Sequence, residues 1–197
     1  MSSHLQRGAV VCLLAAGLFA QSSAEEWRQK ANALYRDRKY AEALQAFDRS
    51  IALDPNNPKA YVGRGSSYRG LNRPAKALED YNRAIELDPN YSNAFMNRAG
   101  LHYQTGNPQA ALADYNRSLE LDPNNAPAYY SRGLLYSRLG DTAAAAADLN
   151  KSLSIEPAGA YAANARNELA KLPAAAAPAP PAAPAPPAPA PEPAVVP

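Results

Sequence analysis

The chain has 197 residues, enough for one ordinary domain, and its 20 Lys plus Arg stand against 18 Asp plus Glu, a formal net charge of +2. So small a basic excess argues against a surface built to hold nucleic acid. Eleven of the 19 prolines fall in the last 25 residues, so the composition describes different materials joined end to end.

The first of these is an uninterrupted apolar run, residues 8–20, with Arg7 as its positive flank and the small residues Ser22–Ala24 behind it. Thirteen apolar residues are too few to span a bilayer, where about 20 are needed, and they fit the core of a secretory signal. The expectation is a signal peptide over residues 1–24, cleaved after Ala24, and a periplasmic or secreted product with no stable membrane insertion. An uncleaved anchor or a buried first helix is the alternative, and it would make the protein a cytoplasmic adaptor. Cys12 lies within the run, so cleavage leaves no cysteine and no disulfide or thiol chemistry.

From there to about residue 159 the sequence repeats. "LDPN" occurs at Leu53–Asn56, Leu87–Asn90 and Leu121–Asn124, and "IEPA" follows at Ile155–Ala158, always 34 residues apart. Proline lacks a backbone N–H and pushes its predecessor out of helical geometry, so Pro55, Pro89, Pro123 and Pro157 each end a helix. Asn57 with Pro58, and Ser92, are candidate restarts. A second break stands mid-repeat at Asn72-Arg73-Pro74, Gly106-Asn107-Pro108 and Gly140-Asp141. Each repeat therefore reads as two short helices. Tyr61, Gly65 and Tyr68 mark one face of the first helix of the second repeat, and Ala77, Tyr81, Ala84 and Leu87 mark its partner. One such pair cannot bury its apolar face, and a stack of pairs can.

These residues resemble the tetratricopeptide repeat signature of an aromatic, then Leu-Gly, then Tyr, Ala, an aromatic and Pro. Trp27, Ala31, Leu34, Ala43, Phe47 and Pro55 carry it first, then Tyr61, Gly65, Tyr68, Ala77, Tyr81 and Pro89. Phe95, Ala99, His102, Ala111, Tyr115 and Pro123 follow, then Tyr129, Gly133, Tyr136, Ala145, Leu149 and Pro157. The resemblance implies an all-α fold, a right-handed superhelical solenoid of four helix pairs at about 24–57, 58–91, 92–125 and 126–159. A capping helix is expected over 160–172, with Ala162, Ala165, Leu169 and Leu172 on its inner side.

Where the signature has Leu, this chain has Lys30, Arg64, Arg98 and Arg132. Sixteen residues after each arginine stands Asp80, Asp114 or Asp148, while the copy with lysine has Ala46. Charges that come and go together point to structural ion pairs, because an unpaired half-buried charge is costly. Pairing within a repeat and pairing with the preceding repeat are both open on spacing alone. Arg166 falls where it would serve Asp148 in the second arrangement.

Catalytic chemistry is not legible. Once residues 1–24 are removed, His102 is the one histidine, in a slot where other copies carry Leu or Tyr. No metal-ligand spacing, phosphate loop or nucleophile motif appears, so no enzyme, cofactor, metal or small-molecule substrate is expected. From Pro173 to Pro197 only Glu192, Val195 and Val196 interrupt Ala and Pro. Such a tail cannot bury a core, and polyproline II geometry would let it reach roughly 80 Å as a spacer or a docking ligand.

The resemblance implies a protein–protein interaction module whose first helices line a concave groove that binds a peptide or partner protein. The groove-facing positions are Arg28, Gln29, Asn32 and Arg36, then Lys59 and Arg69, then Asn97, Tyr103 and Gln104, and finally Tyr130, Ser131 and Arg138. Gly63 and Ser66 fall on the same strip. Its bases, amides and tyrosines, without an acid, suit an extended segment bearing carboxylates. The carboxylate-clamp ladder of chaperone-tail binders is not reproduced, since Gly63 and Ser131 interrupt it. A structural spacer or self-assembly component of the envelope is the competing reading.

Overall fold

The structure, a computed structural model, describes residues 23–173. The apolar run of the expected signal and the tail beyond Pro173 lie outside the described residues. These form helices joined by turns: α1 (23–36), α2 (Tyr40–Leu53), α3 (Pro58–Gly70), α4 (Pro74–Leu87), α5 (Ser92–Gln104), α6 (Pro108–Leu121), α7 (Ala126–Leu139), α8 (Thr142–Ile155) and α9 (Ala162–Lys171). No strand occurs among them.

The recurrent four residues are a helix stop with its own brace. Leu53, Leu87 and Leu121 are last helical residues, and Asp54, Asp88 and Asp122 leave helical geometry ahead of the proline. Each aspartate Oδ1 then accepts the N–H of the asparagine two residues on, at 3.2, 2.9 and 3.1 Å. At the restarts, the Asn57 side chain accepts the Lys59 N–H and Pro58 opens α3. Ser92 departs from expectation. It is the first helical residue and makes no cap; its hydroxyl donates to the Ser118 carbonyl at 3.1 Å. Ser50 and Ser152 likewise tie the end of α2 and α8 to the Ala24 and Ala126 carbonyls, at 2.8 and 2.9 Å, and the first of these is a bond that cleavage after Ala24 would remove.

The mid-repeat breaks share one geometry. Arg38, Asn72, Gly106 and Gly140, each 34 residues apart, have φ of 60, 55, 82 and 83°. The next N–H in each case reaches back to the carbonyl of Leu34, Tyr68, His102 or Tyr136, which closes the helix end.

The core is layered along the stack. Ala43, Ala77, Ala111 and Ala145 are fully buried, and Phe47, Tyr81, Tyr115 and Leu149 pack one turn further on. The facing residue on the first helix must be small. A Cβ on Gly65 would stand 2.8 Å from the Tyr81 ring, and one on Gly63 only 2.2 Å from Phe47. Each helix packs on the next, while α3 touches α5 and α5 touches α7. The odd-numbered helices thus share an inner face. Helix α9 covers α8 with Ala162 and Ala165, while Leu169 is only half-buried.

Candidate functional site: the concave groove

Two polar systems run along the stack. The first is a ladder between successive helix pairs. Arg64 donates from Nε and Nη2 to Asp80 at 2.9 and 2.7 Å, and from Nη1 to Asp48 at 2.8 Å. Arg98 holds Asp114 in the same fork, at 2.7 and 2.8 Å, and reaches Asn82 at 2.8 Å. Arg132 holds Asp148 at 2.7 and 2.8 Å and reaches Asn116 at 2.6 Å. Each arginine therefore reaches both repeats: two bonds to an aspartate 16 residues ahead, and one to a residue 16 behind. The aspartates are 4, 7 and 6% exposed, and each guanidinium lies over an aromatic ring of its own helix, Tyr61, Phe95 or Tyr129. Bonding to Asp80 and Asp148 pushes the guanidinium pKa of Arg64 and Arg132 further up, so these groups are held charged.

The ladder ends where neighbours end. The first pair has no preceding pair among the described residues, and there Lys30 and Arg49 sit over Trp27 instead. Arg166 does not extend the ladder to Asp148. It donates to the Pro157 carbonyl at 2.6 Å, because it lies on the exposed side of α9.

The second system is the groove. A pocket of about 470 Å³ opens between α3, α5 and α7, lined by Arg69, Met96, Asn97, Gly100, Tyr103, Gln104, Tyr115, Pro127, Ser131 and Tyr161. Of the twelve positions expected to face the partner, it gathers Arg69, Asn97, Tyr103, Gln104 and Ser131. Two more stand at its rim: Arg138 lies over the Tyr103 ring, 5.3 Å from its centroid, and Tyr130 stacks on Tyr161 at 4.9 Å. The N-terminal members of the strip are not brought to this pocket. Arg28 and Gln29 bond Glu25, whose carboxyl is held below its usual pKa by Arg28. Asn32 is half-buried, while Arg36 and Lys59 are exposed. Ser66 is buried against the Tyr81 hydroxyl, at 3.2 Å.

Met96, Gly100, Tyr115, Pro127 and Tyr161 are the lining residues that the helical strip does not include. Tyr115 belongs to a second helix and Tyr161 to the turn before α9, so only three-dimensional stacking brings them in. Burial raises the phenol pKa of Tyr81 and Tyr115, while the nearby charge of Arg69 pulls the other way. Both hydroxyls therefore stay protonated and able to donate. Among the described residues no group of three or more His, Cys, Asp or Glu could hold a metal, and no helix is long and apolar enough to cross a membrane. His102 Nε2 lies 3.7 Å from Asp114, at the edge of the ladder.

Matches to the tetratricopeptide repeat family cover residues 28–92, 62–126 and 100–170. The chain belongs to the tetratricopeptide repeat family. The first tetratricopeptide domain of Spaghetti (RPAP3), bound to the HSP90 peptide SRMEEVD, is 30% identical; the match covers 61% of this chain and 95% of that one, with a TM-score of 0.56. The thermophilic tetratricopeptide protein of Thermus thermophilus (24% identity, TM-score 0.67) covers 76% of this chain and 80% of its own. PilF of Pseudomonas aeruginosa (17%, TM-score 0.71) covers 78% and 68%. At those identities the last two speak to fold alone. Hsp70-Hsp90 organizing protein 3 of Arabidopsis thaliana is 36% identical over 53 residues, 27% of this chain but only 10% of that protein. The present chain thus matches a small fraction of that relative. The tetratricopeptide solenoid is the fold of this chain, and its inner face is the surface formed by the first helices of the pairs.

Proposed function

We propose that this tetratricopeptide array is a non-enzymatic scaffold that binds an extended peptide segment of a partner protein in its concave groove, within the cell envelope. The observation that carries the reading is the pocket between α3, α5 and α7, lined by amides, tyrosines and Arg69 without one acidic side chain. Arg138 at its rim adds a second positive charge. A rigid surface already ordered by its own stacking meets little further ordering cost when a ligand arrives. The acidic peptide carried by the 30%-identical RPAP3 domain supports a ligand of this kind.

Envelope location rests on the apolar run and the small residues before Glu25. Mass spectrometry of the protein from the native envelope fraction should find Glu25 at the N-terminus; a dominant full-length cytoplasmic species would overturn export. For the groove, the partner captured by crosslinking in the native cell should lose affinity when Asn97→Ala is combined with Arg138→Glu. Circular dichroism should be unchanged, and the salt dependence of binding weaker than wild type. Unchanged affinity would move the site to the outer face or the tail.

A further inference from the structure

The two arginine sets of this chain differ in one respect. Arg64, Arg98 and Arg132 are each bonded to a carboxylate. Arg69, half-buried in the last turn of α3, is bonded to no carboxylate among the described residues, and its charge is felt by the buried phenols of Tyr81 and Tyr115. Its guanidinium extends across to α5, where Nη1 lies 2.9 Å from the place a Cβ on Gly100 would take. A methyl at Gly100 would push that flexible end of Arg69 aside. The pocket beyond it is apolar along Met96 and Pro127 and is closed by Tyr161, which stacks on Tyr130 and is itself 42% exposed.

Resting on the reading of the groove as a peptide site, we infer that it selects a specific pair of side chains on its ligand. An Asp or Glu carboxylate binds Arg69, and an apolar side chain two or three residues along the same extended segment packs against Met96 and Tyr161. The spacing follows from geometry. The guanidinium sits at α5 and Tyr161 stacks on Tyr130 of α7; neighbouring helices stand roughly 8–10 Å apart, and an extended chain advances about 3.3 Å per residue. A guanidinium half-removed from water gains most from a bidentate carboxylate, and one unpaired positive charge balances one negative one. The turn before α9 is then part of the recognition surface as well as a cover for the last repeat.

The test uses short fluorescent peptides of Ala, Pro and Ser carrying one Glu and, three residues on, one Leu. Matched peptides replace Glu by Gln or Leu by Ser, and binding to the full chain is read by anisotropy. Wild type should prefer Glu over Gln about tenfold. Arg69→Gln should erase that preference. Gly100→Ala should also reduce it by displacing the guanidinium, in a helix that alanine favours, so a folding defect cannot be the cause. Tyr161→Ser should erase the preference for Leu over Ser and leave that for Glu. Equal binding of the Glu and Gln peptides by wild type, no binding of either, or a Glu preference surviving Arg69→Gln would overturn the inference. If the crosslinked partner is still lost in the Asn97 and Arg138 variant but is indifferent to Arg69→Gln, the groove reading stands and the Arg69 subsite falls.

Discussion

Arg38 occupies a backbone conformation that its side chain disfavours. With φ of 60° it sits where Gly106 and Gly140 sit two and three repeats later, and Asn72 one repeat later. A left-handed residue with a Cβ costs about 1–2 kcal/mol, and glycine gives back about half through its floppier unfolded chain. Arg38→Gly should therefore stabilise the protein by roughly 0.5–1 kcal/mol. Gly140→Ala should destabilise it by about 1 kcal/mol, although nothing within 4 Å would touch the new methyl. Chemical denaturation of the two variants checks both signs; a neutral Gly140→Ala would mean that this turn relaxes. The glycines announce the break in the sequence because they are what the conformation prefers. At Arg38 the residue type says nothing, and only its position in the 34-residue register marks it.

Between helix pairs, the arginine ladder joins elements that apolar contact alone would leave free to slide. Arg98→Met leaves Asp114, 7% exposed, without the fork that satisfies it. Breaking one side of a buried pair costs about 3–5 kcal/mol. Adding Asp114→Leu should recover much of that loss, because two apolar groups need no partner. Equilibrium unfolding of the single and double variants decides the matter; an Arg98→Met variant as stable as wild type would show that the fork is ornament. The sequence marks the members of this ladder by their spacing of 16. It does not show the third bond of each arginine, since the acceptor is an aspartate at Asp48 but an asparagine at Asn82 and Asn116. Nor does it place Ser92, whose hydroxyl finds a carbonyl 26 residues away rather than its own helix end. Helix limits are local events and were readable; bonds between layers depend on how the layers stack.

Over the whole molecule, tyrosine shares the core with Phe47 and several leucines, with Tyr81 fully buried and Tyr115 4% exposed. Burial raises the pKa of Tyr81, Tyr91 and Tyr115 above the ordinary value of 10.0. In the unfolded chain these phenols ionise near that value, while the folded chain keeps them protonated. Their contribution to stability is then complete below pH 10.0 and is lost as pH rises through the folded values. An alkaline titration should show tyrosinate absorbance and loss of helical circular dichroism rising together. Full tyrosine ionisation with the helices intact would contradict it. The pocket was legible only in part, with Arg69, Asn97, Tyr103, Gln104 and Ser131 of the expected strip among its walls. Its C-terminal half followed from helical spacing along α5 and α7, whereas Tyr115 and Tyr161 enter only because the stack curves a second helix and a turn toward the same space. Arg28 drops out by position, since it lies on α1, away from the pocket, where it bonds Glu25 one turn earlier.

The ladder also bears on how long such an array can be. Each rung closes with residues of two adjacent repeats and asks nothing of a third, so a junction between copies is chemically self-contained. A duplicate of residues 58–91 spliced after itself would bring its own arginine, its own aspartate and, at Asn82, the acceptor for the next arginine. Copy number is thus a free variable of this molecule: stability should climb by one equal step per inserted copy, as in a one-dimensional lattice. The groove pocket would stay the same size, because the inserted copy next to α5 would bring its own equivalent of Arg69, the wall that α3 supplies.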